Sequence, residues 1–95
     1  MPRIAVSGPI HDELVGHYRV SLDYGDRLVE FSPTFPLVDV ADPIGARAMS
    51  QILCEATAHA LVQAGVTVSD VSTALVALHT KAAPDKLLAT AGVAA

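Results

Sequence analysis

Residues 42–65 restrict the fold more than any other segment, because a start signal, a periodic apolar face and a stop signal follow one another without a gap. Asp42-Pro43 opens the segment. An aspartate carboxylate accepts from the unpartnered N–H groups of a first helical turn, and proline at the first position gives up an N–H that has no partner there. Met49, Ile52, Leu53, Ala56, Ala60 and Leu61 then recur at steps of three and four, the spacing that gathers side chains on one side of a helix. Arg47, Gln51, Glu55, His59 and Gln63 form the opposite, polar stripe, and Gly65 closes the segment. The spacing predicts one long amphipathic helix with its apolar side docked on a sheet.

That sheet begins upstream. Residues 3–7 read as a short strand ended by Gly8-Pro9, and the following stretch around His11-Asp12-Glu13 is polar and without a period. Residues 18–32 read as a hairpin. Gly25-Asp26 suits a two-residue turn in which glycine supplies the positive φ, so Tyr24 faces Arg27, Leu22 faces Val29 and Val20 faces Phe31. This register places Tyr18, Val20, Leu22, Tyr24, Val29 and Phe31 on one face and Arg19, Ser21, Asp23, Glu30 and Ser32 on the other. Ser32-Pro33 and Phe35-Pro36 break the hairpin off, since each proline lacks a donor and restricts the residue before it.

Residues 37–40 read as a short strand leading into the helix. After Gly65, residues 71–79 alternate Val71, Leu75 and Ala77 with Ala74, Val76 and Leu78, apolar on both sides, as in a strand covered on both faces. Pro84-Asp85 opens a tail helix holding Leu87 and Leu88, with Gly92 as its stop. The fold expected is a single α+β domain over residues 1–95: an antiparallel or mixed sheet of four to five strands with one long amphipathic helix packed on one face.

Hydrophobic residues make up 52% of the chain and charged ones 17%, more apolar surface than so small a sphere hides. A homo-oligomer that covers the second sheet face is therefore expected. The net charge of −4 and the scattering of six Lys and Arg along the chain argue against nucleic acid. No apolar run reaches bilayer length and no basic-then-apolar leader opens the sequence, so a cytoplasmic protein without a membrane partner is expected. Cys54 has no partner for an internal disulfide and suits a small buried side chain on the helix.

His11, Glu13 and His79 imitate a two-histidine, one-carboxylate iron site, but His11 and Glu13 fall in an irregular segment rather than on rigid strands, so no metal is expected. Glu55 and His59, one helical turn apart, read as a solvated surface pair. There is no phosphate-cradling glycine loop and no nucleophile elbow around any serine. Lys81, just past residues 71–79, is a candidate general base.

Pro36-Leu37-Val38-Asp39-Val40, the long helix, residues 71–79 and Gly92 together resemble the β-α-β unit of the tautomerase superfamily, which includes 4-oxalocrotonate tautomerase. The resemblance covers about sixty residues, lies in apolar spacing and one glycine, and implies an isomerase whose site closes between subunits. Enzymes of this superfamily act through an N-terminal proline amine assisted by arginines, without a cofactor. Pro2-Arg3-Ile4-Ala5-Val6 has the look of their first strand, which makes Pro2 the candidate amine once Met1 is removed, and Arg3 and Arg47 the candidates for holding an acidic ligand. Ala74 stands where a second strand arginine would be, and the first strand leads to a hairpin rather than a helix. Glu55, with the ending Val76 to Pro84 and its His79-Thr80-Lys81, is similar to dihydroneopterin aldolase, in which a helix glutamate anchors the substrate and a lysine is the base. Thr80 interrupts the His-Lys-Pro run of that family. The role expected first is binding or assembly in a small oligomeric domain, with isomerase or lyase chemistry as the alternative.

Overall fold

In the computed structural model, which describes residues 1–94, the hairpin forms the middle of the sheet. Strands β1 (Arg3–His11), β2 (Val15–Asp23), β3 (Leu28–Phe31) and β4 (Thr34–Pro36) make one four-stranded antiparallel sheet. β2 is central, with β1 along one side and β3 and β4 sharing the other. The turn forms as its residues require: the Tyr24 N–H donates to the Arg27 carbonyl at 2.9 Å, and Gly25 takes a φ of 90°. Leu22 stands opposite Val29 and Val20 opposite Phe31, the register expected from alternation. Ser32-Pro33 interrupts the outer strand, yet the Tyr18 N–H still donates to the Pro33 carbonyl at 3.0 Å, and pairing resumes with Phe35 opposite Gly16.

Three helices, rather than one, cover a single face of this sheet. The first, α1 (Pro43–Gln63), starts as expected, with the Asp42 carboxylate accepting from the Gly45 N–H at 2.8 Å. Its buried stripe is Ala46, Ser50, Leu53, Thr57 and Leu61, about one residue of rotation away from the apolar stripe in the sequence. Ile52 is 53% exposed and Ala56 is exposed, contrary to expectation, while Met49 stays partly buried against the core. Two polar side chains account for the rotation. Thr57 donates its hydroxyl to the Leu53 carbonyl at 2.7 Å and so enters the core without an unpaired donor. Ser50 and Ala46, both small, complete the buried stripe.

Two expected strands take other forms. Residues 37–40 form a single 3-10 turn, Leu37–Val40, so the last strand is the short β4 before it. Residues 71–79 lie inside helix α2 (Val68–Lys81). Thr67 caps that helix through a hydroxyl accepting from the Asp70 N–H at 3.3 Å, and Val71, Ala74 and Leu78 are buried at helical spacing. A second helix thus follows α1 where the β-α-β reading places a strand. The tail helix, α3 (Pro84–Ala94), begins at its proline but runs through Gly92 instead of stopping there.

The core lies between β2 and the helices, with Tyr18, Val20, Leu22, Phe35, Leu53, Leu61, Leu78 and Leu87 almost wholly buried. The opposite sheet face is open and largely polar, with an exposed Arg19–Glu30 ion pair at 3.8 Å. Tyr24 joins the hairpin tip to α2: its hydroxyl donates to Asp70 at 2.8 Å while the Arg27 guanidinium lies 5.0 Å from its ring centre. Among the described residues no helix is long and apolar enough to cross a membrane.

Candidate ligand-binding cleft

An irregularity in β1 shapes one wall of a cleft. Up to Ser7 the strand pairs regularly, with Ser7 opposite Arg19, but Ile10 then meets His17 and His11 meets Gly16. One extra residue has therefore entered β1, so that Gly8 and Pro9 stand together against Tyr18. Glycine is required here. Gly8 has a φ of 121°, and a Cβ on it would come within 2.9 Å of the His17 carbonyl oxygen and 3.0 Å of the Tyr18 ring. The bulge exchanges the two sides of the strand, which sends Ile10 to the open face, 52% exposed, and turns His11 toward the helices.

The Tyr18 side chain crosses beneath the bulge and donates its hydroxyl to the Lys81 carbonyl at 3.0 Å. Burial pushes that phenol up to about 12, which keeps it a donor throughout the neutral range. The bond fixes the end of α2 against β2 at the point where the chain turns through Ala82 and Ala83 into α3. Buried Ala82 and Leu87 hold this corner to the core. Along α3, Lys86, Ala89 and Thr90 follow at helical steps on one face.

These three pieces enclose a cleft of about 530 Å³ lined by Gly8, Pro9 and His11 from the bulge, Thr80 and Lys81 from α2, and Lys86, Ala89 and Thr90 from α3. Both lysines of the chain are in that lining. Among the described residues no carboxylate lines it. The nearest acid along the chain from His11 is Asp12, whose carboxylate already accepts from the Leu14 and Val15 N–H groups at 3.0 Å each. These bonds, the one from Leu14 foremost, hold it below the usual carboxylate range. A cleft lined by two lysines and a histidine suits a ligand carrying more than one negative oxygen.

The other sequence candidates are dispersed. Pro2 and Arg3 share a shallow cleft of about 430 Å³ with Asp23, Tyr24 and Gly25 at the hairpin tip. Arg47 lies in a different one, about 350 Å³, with Ser50, Gln51, Cys54, His79 and Pro84. Glu55 is exposed on α1 and accepts from the Gln51 side chain at 3.0 Å. Lys81 is thus parted from Pro2, Arg3, Arg47 and Glu55, and meets instead Lys86 and His11. Lys86 was missed by sequence reasoning, and His11 was weighed only as a metal ligand. The findable signal was the pair of lysines flanking Pro84, since a helix stop and a helix start so close together turn neighbouring ends toward one another. Among the described residues no group of three or more His, Cys, Asp or Glu is placed to hold a metal ion. Cys54, expected to be buried, is only half-buried, and that burial pushes its thiol up.

Comparison with protein-family models, with curated proteins and with solved structures found no match.

Proposed function

We propose that this chain is a small binding module whose ligand is a compact polyvalent anion, a di- or tricarboxylate or a phosphate, held between the β1 bulge and the α2–α3 corner. One observation supports this reading above the others: in a chain of net charge −4, both lysines and His11 line the same cleft. Electrostatic attraction is strongest where like charges gather on a concave wall, because the field there is focused. Lys81 and Lys86 supply mobile ammonium donors, and His11 adds a further donor and, when protonated, a third positive charge. The isomerase and lyase alternatives draw no support from this grouping, because Pro2, Arg3, Arg47 and Glu55 belong to other parts of the surface.

Calorimetric titration with inorganic phosphate and with citrate at low ionic strength tests the proposal. Lys81→Gln and Lys86→Gln should each weaken binding by roughly tenfold, the worth of one charge-assisted hydrogen bond, while Arg19→Gln on the open sheet face should leave it unchanged. Absence of heat with either anion, or equal affinity in all three variants, would refute it.

A further inference from the structure

The free edge of β1 has a hydrogen-bonding pattern that complements itself. In an antiparallel ladder the N–H and C=O of one residue point to the same side, and successive residues alternate sides. The Tyr24 N–H bonds Arg27 and the Tyr18 N–H bonds Pro33, so the even residues of β2 address β3 and β4 while its odd residues address β1. Arg3, Ala5 and Ser7, opposite Asp23, Ser21 and Arg19, therefore spend their backbone groups on β2. Those of Ile4 and Val6 point away from the sheet. Among the described residues no strand lies beyond them, and β1 pairs with β2 alone. An edge left open in this way is a template for another strand unless charge, proline or a bulge protects it. Here the bulge and Pro9 guard the far end, and residues 3–7, with α2 packed against them, have no strand on their outer side among the described residues.

We propose that β1 pairs antiparallel with β1 of a second copy about a two-fold axis through Ala5. The register follows from three requirements. Outward groups must meet outward groups, so Ile4 and Val6 can be opposed only by one another or by themselves. Setting Ile4 against Val6 on both sides of the axis pairs the whole straight run between the strand start and the bulge, whereas Ile4 against itself sets Val6 against Pro2, which has no N–H. Shifting the axis to Val6 draws the irregular Gly8 into the ladder on both sides. In the chosen register Ala5 faces Ala5, small and exposed, and Arg3 faces Ser7, so no like charges are opposed. Ile4 and Val6, half-buried against the core of each copy, meet across the axis and extend one apolar layer beneath a continuous sheet. The interface is isologous, the same segment serving on both sides.

The pairing also reaches the cleft. Pro2 of one copy comes opposite Gly8 of the other, at the rim formed by Gly8 and Pro9, so each copy supplies a wall to its neighbour's concavity. This last point rests on the anion-binding reading, whereas the pairing itself does not.

Light scattering on the intact chain gives the mass directly, and a cysteine pair gives the register. At a position facing itself across the axis in a non-hydrogen-bonded pair, the Cα atoms lie within disulfide range. Ala5→Cys, made together with Cys54→Ala, should form a covalent pair under mild oxidation roughly tenfold faster than Ser21→Cys in the same background, which lies on the same face one strand inward. Ala5→Lys, exposed and outside the core, should return the mass to one chain with the circular dichroism unchanged. A single-chain mass up to millimolar concentration, or equal cross-linking at the two positions, overturns the proposal. A dimer that binds neither phosphate nor citrate would leave the pairing standing and remove only the cleft's ligand.

Discussion

Cutting Leu53 and Ile52 back to alanine, one at a time, distinguishes the face that α1 buries from the face its apolar spacing suggests. Leu53 is 1% exposed and lies in the core with Val20 and Leu22. Its truncation removes buried carbons and leaves a cavity that the sheet closes only in part, a loss of about 2 to 5 kcal/mol. Ile52 is 53% exposed, so about half of the area it would lose on truncation is wet already. Alanine is also the better helix former by a few tenths of a kcal/mol, which leaves a net loss of about 1 kcal/mol or less. In a domain of this size each kcal/mol moves the melting temperature by roughly 4 to 8 °C, so Leu53→Ala should lower it by about 10 °C or more and Ile52→Ala by a few degrees at most. Urea unfolding followed by circular dichroism would read both, with an unchanged slope showing that stability and not the denatured chain has moved. Equal losses, or a larger one at Ile52, would refute the packing described for α1.

Gly16→Ala should cost about 1 to 3 kcal/mol, because a Cβ there runs into the Phe35 ring, itself 1% exposed and stacked on Tyr18 at 5.9 Å, and overpacked cores relieve such contacts only by shifting backbone; a melting temperature equal to wild type would show that the ring is free to move aside. The Tyr18 phenol is raised from 10.0 to about 12, so above about pH 10 the unfolded chain releases a proton that the folded chain keeps. Stability should be full below that pH and fall as it climbs toward about 12. Tyr18→Phe should make this fall shallower while Tyr24, raised by its own burial and by Asp70, keeps part of it; an alkaline profile identical to wild type would refute the assignment.

The hairpin and the start of α1 were legible because short-range chemistry decides them: a Gly-Asp turn between alternating runs, and Asp42-Pro43 before a periodic one. The phase of α1 was not, since a buried threonine counts as polar in any pattern, and only its bond to the Leu53 carbonyl shows why Thr57 is accepted inside. Residues 71–79 deceived for a related reason. Val71, Ala74, Leu75 and Leu78 satisfy the helical spacing, yet their apolar neighbours satisfy alternation equally well, and β-branched valine favours the strand. The cue that separates the two lies just upstream in Thr67 and Asp70, a hydroxyl with an acid three residues later, the usual opening of a helix. The cleft was the least legible part. Which side of β1 His11 occupies depends on one inserted residue, and the approach of Lys81 to Lys86 depends on where two helices meet, so neither is written in local spacing.

Ser32-Pro33 divides what would have been one long outer strand into β3 and β4, of four and three residues. A piece so short offers an incoming chain few consecutive hydrogen bonds, and Pro36 removes a donor from the outer edge of β4. The sheet is therefore polar in the directional sense, extendable past β1 and blunt past β3 and β4. A pair formed through β1 uses up the extendable direction of both members and exposes only blunt ends, so growth halts at two copies. The same break that shortens a strand keeps a self-complementary edge from becoming the first step of a fibre.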